Sequence, residues 1–249
     1  MKLIDALIQV SNTDRDTFEA DKTDHKIARW AQISSDTELV QLGEEGTYGA
    51  AFDLRDGRVL KISSDKQEAL TSSGLIVLEH KNIAKIYKVA KLSNVTGTKR
   101  QLRYKFDIYL ILQKKYVPLT YEESKIVNML PADLESNAIV KAGNLFFIKQ
   151  KKTNEHIRAE HFLERFHKLF VLQAKGIKLE KYISVAMQLI DGLYFLSQHG
   201  ISYADIHSNN VMRDIQQNLV MIDFGAGSKT PATGKNIDIL EQFVRRVIK

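Results

Sequence analysis

From about residue 39 to residue 112 the apolar positions come in short runs separated by polar and glycine-containing turns. Beyond about residue 120 they recur at every third or fourth place, so the chain passes from strand-forming to helix-forming sequence. The first region reads as a twisted antiparallel sheet. Leu42–Phe52 gives a strand, a glycine-rich turn and a second strand, and Asp56-Gly57 then marks a hairpin turn before Val59-Leu60-Lys61-Ile62. Two later strands are predicted over 83–92 and 104–112, around the turn Asn94-Val95-Thr96-Gly97-Thr98. A helix begins after Asp65, which can cap it. In the second region, helices are predicted over 121–129, 155–174 and 179–199. In the last of these Ile183, Met187, Ile190, Leu193 and Leu196 face inward, and Gly200 ends it. Residues 1–38 stand ahead of the sheet as a helical extension in which Leu3, Leu7 and Val10 share one face. The division is therefore 1–38, 39–112 and 113–249, in an α+β fold.

The segment that delivers the last long helix into the remainder of the chain is dense in oxygen-bearing side chains. Tyr203-Ala204-Asp205-Ile206-His207-Ser208-Asn209-Asn210 is followed by two apolar runs, 210–212 and 219–222, with the polar turn 214–218 between them. Asp223-Phe224-Gly225 comes next. A lone Asp-Phe-Gly is common as a strand-end turn. Placed after a hairpin that begins at Asn210, however, Asp223 comes to a strand end beside that asparagine, and amide and carboxylate oxygens are the ligands a small hard cation takes. Upstream, Gly43, Gly46 and Gly49 punctuate the first turn, where a missing Cβ lets backbone N–H groups approach phosphate oxygens. Lys61 lies one hairpin later.

Glycine turn, strand lysine, Asp-x-x-x-x-Asn and Asp-Phe-Gly, in that order, resemble the signature set of the protein-kinase-like superfamily from about residue 39 onward. That resemblance implies a two-lobed fold, with a small sheet lobe over 39–112 and a truncated helical lobe over 113–249. It implies ATP and Mg2+ as cofactors, with Gly43, Gly46, Thr47 and Gly49 over the phosphates, Lys61 on the α- and β-phosphates and Glu68 holding Lys61. Glu79 is the competitor for that last role. Gln113 opens the hinge that would meet the adenine through backbone groups. Asp205 would be the catalytic base, His207 a further donor to phosphate or substrate, and Asn210 and Asp223 the metal ligands. The pattern Asp-x-His-x-x-Asn followed by an apolar pair is similar to short phage-encoded kinases, which places the expected activity in a bacterial cytoplasm on serine or threonine of a protein substrate, including the kinase itself.

The chain also departs from the family pattern. Two residues separate Gly43 from Gly46, where the family has one. Tyr203-Ala204-Asp205 stands for His-Arg-Asp, removing the arginine that pairs with a phosphorylated activation loop. The Ala-Pro-Glu signature is absent after Asp223; residues 236–244 read as an amphipathic helix with Asp238 near its start. Two alternatives stay open: a small-molecule kinase of the aminoglycoside phosphotransferase type, and a pseudokinase binding module.

Composition narrows the picture further. With 249 residues, 44% of them hydrophobic, the chain can bury a two-lobed core. No apolar run approaches the ~20 residues of a membrane span, and Met1-Lys2-Leu3-Ile4-Asp5 is no secretory leader. The absence of cysteine excludes disulfides and thiolate metal sites. A net charge of +6 is spread among acidic residues, so no nucleic-acid partner is expected. His156, His161 and His167 do not share a helix face, which argues against a histidine metal site.

Overall fold

A computed structural model describes residues 38–46, 49–99, 102–135, 171–201, 203 and 205–225, with residues 2, 3, 5, 6, 29 and 31. Thr47, the three histidines at 156, 161 and 167, most of the helix predicted over 155–174, and the helix of 236–244 with Asp238 lie outside the described residues. The described chain is mixed α and β, and it divides into two compact units. One comprises Met1–Glu79, Ala84–Lys115 and Phe224–Ala226; the other comprises His80–Ile83, Tyr116–Asp223 and Gly227–Lys249.

The first unit is built on five antiparallel strands: β1 (Val40–Gly46), β2 (Gly49–Asp53), β3 (Arg58–Ser63), β4 (Ile86–Lys99) and β5 (Leu102–Lys114), in the order β1-β2-β3-β5-β4. Period-two alternation decides which face each residue serves. Ala50 and Phe52 of β2, Leu60 and Ile62 of β3, and Ile108, Leu110 and Leu112 of β5 bury themselves in one apolar cluster, which Leu3, Ala6 and Ala31 of the N-terminal region join. Lys61 is out of step with Leu60 and Ile62 and so leaves the cluster. Helix α1 (Lys66–Leu75) packs against β4 and β5 and buries Glu68, Ala69, Ser72 and Leu75. Its start is set by Asp65, whose Oδ1 accepts from the Gln67 N–H at 2.7 Å and the Glu68 N–H at 3.3 Å.

The predicted turn at 94–98 is not a turn. Val95, Thr96, Gly97 and Thr98 pair with Phe106, Lys105, Tyr104 and Arg103, so β4 and β5 form one long hairpin that extends past it. Asn94 falls in a register irregularity between Leu92 and Val95 and the rest of the expected turn pairs regularly, an instance of strand pairing overriding local preference.

The second unit contains α2 (Tyr121–Glu135), α3 (Leu179–Gln198) and the two-stranded hairpin of β6 (Val211–Arg213) and β7 (Leu219–Met221). The helix predicted over 121–129 runs six residues further, through Pro131. Proline removes one intrahelical bond, and burial of Ile126, Val127 and Leu130 anchors the turns before it. Helix α3 buries Tyr182, Ile183, Ala186, Leu189, Ile190, Leu193 and Leu196 along one broad stripe, and packs on both α2 and β7. Its approach to the hairpin is close: a Cβ on Gly192 would lie 2.4 Å from Met221 Cε and 3.1 Å from Asn82 Cβ. Asn82, fully buried, ties residues 80–83 to the same hairpin, donating through Nδ2 to the Leu219 carbonyl at 2.8 Å and accepting from the Met221 N–H at 2.9 Å. Among the described residues no helix is long and apolar enough to cross a membrane.

Candidate active site

In the first unit the strand lysine has its carboxylate. Lys61 Nζ is ion-paired with Glu68 Oε1 across β3 and α1, and the Glu68 side chain is only 4% exposed. The pairing follows from register: Lys61 leaves the apolar face of β3, and the Asp65 cap starts α1 so that Glu68 occupies its first turn. A carboxylate buried beside an ammonium holds that ammonium in one place, and this is what positioning a phosphate-binding cation requires. Glu79, the competing acid, is 78% exposed and accepts instead from Lys85 at 2.5 Å.

The three glycines of the first hairpin have different physical roles. Gly43 sits at φ +70° where the register of β1 against β2 shifts, and only open space surrounds its missing side chain. Gly46 and Gly49 face one another at the hairpin end. Gly49 is constrained sterically, because a Cβ there would lie 2.0 Å from the Ile62 carbonyl oxygen of β3. Gln113 is a buried residue of β5 paired on both sides, with Val59 and Ile86. The N–H groups of the next two residues are already engaged: Lys114 donates to the Lys85 carbonyl at 3.0 Å and Lys115 to the Gly57 carbonyl at 2.9 Å.

In the second unit, the loop from Tyr203 to Asn210 is closed by bonds to both of its ends. The Asn210 carbonyl accepts from the buried Tyr203 hydroxyl at 3.0 Å and from the Ile222 N–H at 3.0 Å, using both lone pairs. Burial first, then the Asp223 and Asp205 carboxylates, push the Tyr203 phenol well above its usual pKa, so it stays a neutral donor. The register Val211↔Met221 sets Asn210 opposite Ile222, one residue before Asp223. Asn210 Nδ2 donates to the Asp205 backbone carbonyl and to Asp205 Oδ2, each at 3.1 Å. Because the amide nitrogen must face these two acceptors, the Asn210 Oδ1 is the oxygen turned elsewhere.

His207 completes the loop. Its Nδ1 accepts from the Asn209 N–H at 3.2 Å, which leaves the proton on Nε2, and Nε2 lies 3.4 Å from Asp205 Oδ2. Histidine and amide therefore flank one carboxylate, which remains 43% exposed. From α2, Asn128 Oδ1 accepts from the Ser208 N–H at 2.8 Å.

A group that sequence reasoning passed over joins α2, α3 and β6. Glu123, with 2% of its side chain exposed, accepts from Lys181 of α3 at 2.6 Å and from Arg213 of β6 at 2.5 Å, while Thr120 donates to it through N–H at 3.1 Å and hydroxyl at 2.9 Å. Burial raises the carboxyl pKa, but the Lys181, Thr120 and Arg213 hydrogen bonds outweigh it and bring the group down to about 2. The signal was present in the sequence as Thr120-x-x-Glu123, a capping box at the start of α2. Its two cationic partners, 58 and 90 residues away, were not legible.

Among the described residues there is no group of three or more histidine, cysteine, aspartate or glutamate side chains able to hold a metal. The oxygen donors that the loop brings together are of another kind, the amide of Asn210 beside the carboxylate of Asp205, with Asp223 following the Ile222 that donates to the Asn210 carbonyl. Hard oxygen donors of that sort fit Mg2+, which keeps several waters and takes few protein ligands. Comparison with models of known protein families and with curated protein sequences finds no match.

Proposed function

We propose that this protein is an ATP- and Mg2+-dependent phosphotransferase, a serine/threonine protein kinase of compact two-lobed kinase-like fold. The observation that carries the reading is the ion pair of Lys61 with buried Glu68, found in the same chain as an Asp205–His207–Asn210 loop whose hairpin ends at Asp223. Each pair is costly to assemble without a use. A buried carboxylate has to be compensated, and Asp205 is left substantially exposed beside the Asn210 amide that donates to it and the His207 ring 3.4 Å away.

In this reading Lys61, steadied by Glu68, neutralises charge on the α- and β-phosphates. Asp205 accepts the proton of the attacking hydroxyl as the new O–P bond forms and the bond from the γ-phosphorus to the β,γ-bridging oxygen breaks, releasing ADP. Asn210 Nδ2–H holds the Asp205 carboxylate in place, with the His207 ring beside it. Asn210 Oδ1 and Asp223 would hold Mg2+, which when bound offsets developing phosphate charge. Gly46 and Gly49 supply a hairpin end without side chains.

Incubation with γ-labelled ATP and Mg2+, alone and with a protein extract, tests this. Label on protein serine or threonine is expected. Asp205→Ala should reduce the rate on the order of 100-fold or more. Label confined to a small molecule would move the assignment to another kinase class, and no transfer by a protein that still binds ATP would make it a binding module.

A further inference from the structure

The second unit carries an open, solvent-facing cavity of about 560 Å3 that the phosphotransfer reading does not use. Four lysines line it: Lys125 from the first turns of α2, Lys175 from the turn before α3, and Lys178 and Lys181 from the start of α3. Gly176, at φ +68°, forms the bend that places Lys175 beside them. Among the described residues the one lining carboxylate is Glu122, so four cations against one anion give these walls a formal charge of +3.

Among the described residues, half of these lysines have no partner. Lys181 is paired with Glu123. Lys125 lies over the Tyr121 ring, 4.3 Å from its centroid. Among the described residues Lys175 and Lys178 make no ion pair. Cations facing a common space repel one another. Lys178 is moreover the N-cap residue of α3 and makes no side-chain capping bond there, at the helix end where positive charge is disfavoured. An anion in the cavity reverses the sign of each of these terms.

The size and the side chains define the anion. The volume falls within the ~300–1,000 Å3 of small-molecule sites. Ammonium groups act as point charges suited to phosphate oxygens. The Tyr121 ring, one face covered by Lys125, is a poor stacking platform for bases, which single-stranded nucleic-acid sites depend on. We propose that this cavity binds a small anion carrying two or more phosphate groups. The inference stands apart from the proposed phosphotransfer and does not require it.

Calorimetric titration of the full chain with inorganic tripolyphosphate at low salt tests the proposal. Wild type and Lys61→Met are expected to bind one equivalent at this cavity, and a Lys175→Ala/Lys178→Ala variant to bind at least about tenfold more weakly, a loss of roughly 1.4 kcal/mol. A Lys88→Ala/Lys105→Ala control removes the same charge from exposed strand positions and should bind as wild type does. The proposal is overturned if wild type does not bind, if the control loses as much as the cavity variant, or if the cavity variant keeps wild-type affinity. Loss of binding in Lys61→Met alone would assign the anion to the phosphotransfer site and likewise overturn it, as would tighter binding of a single-stranded oligonucleotide.

Discussion

Replacing Glu123 by glutamine should destabilise the second unit by an amount that depends on pH in a specified way. The carboxyl sits at about 2 in the folded chain against an ordinary value of 4.5. At about 1.36 kcal/mol per pKa unit, that difference corresponds to roughly 3 kcal/mol of stability from the charged form. A folded-state pKa that is depressed contributes fully above the unfolded value. The stabilisation is therefore complete above about pH 5 and is lost as pH falls toward 2. Glutamine keeps the shape and can still take part in the Thr120 capping box, but it leaves Lys181 and Arg213 without their shared anion. Urea denaturation followed by far-UV circular dichroism, at intervals from pH 7 to pH 2.5, measures the difference between wild type and Glu123→Gln. A gap of about 3 kcal/mol at pH 7 that narrows steadily below pH 4.5 is expected. A gap under about 0.5 kcal/mol at pH 7, or one that stays constant with pH, would refute the account of Glu123 as the charged hub joining α2, α3 and β6.

Other substitutions separate steric from conformational and chemical roles. Gly49→Ala forces a methyl against the Ile62 carbonyl and should cost about 1–3 kcal/mol in thermal denaturation, whereas Gly43→Ala, limited to left-handed backbone strain in open space, should cost about 1 kcal/mol. Tyr203→Phe removes the hydroxyl that donates to the Asn210 carbonyl. It should lower stability by about 1 kcal/mol and raise the Mg2+ concentration needed for half-maximal phosphate transfer more than it lowers the rate at saturating Mg2+. Glu68→Gln should leave the circular dichroism spectrum intact while reducing phosphate transfer by roughly 100-fold, because Lys61 loses the carboxylate that places it.

How far the sequence foretold the molecule depends on the range of each interaction. Hairpins joined by strong turn residues were legible: Asp56-Gly57 between β2 and β3, and the turn over 214–218 that joins β6 to β7. The turn read at Asn94–Thr98 failed because a glycine and an asparagine are also tolerated inside a long antiparallel pair once the partner strand supplies its bonds, as Tyr104 does for Gly97. The helix read over 121–129 from its apolar spacing continues to Glu135 as α2, past Pro131. Around the candidate site, the contacts of Asp205, His207 and Asn210 lie within five residues of one another and could be anticipated from the motif. Those that brace it could not. Asn128 reaches Ser208 across 80 residues, and Gln188 Oε1 accepts from the Leu219 N–H at 2.9 Å across 31. No local periodicity encodes such pairs.

In the proposed function Lys61 with Glu68, and Asp205 with Asn210 and Asp223, all act on Mg2+-bound ATP. Calorimetric titration of ATP, with and without Mg2+, into wild type, Lys61→Met and Asp223→Asn tests it most directly. One equivalent of nucleotide should bind to wild type, Lys61→Met should weaken that binding with or without the metal, and Asp223→Asn should abolish the gain that Mg2+ confers. A wild type that takes up no ATP, or two variants that bind it as wild type does in both conditions, would contradict the claim.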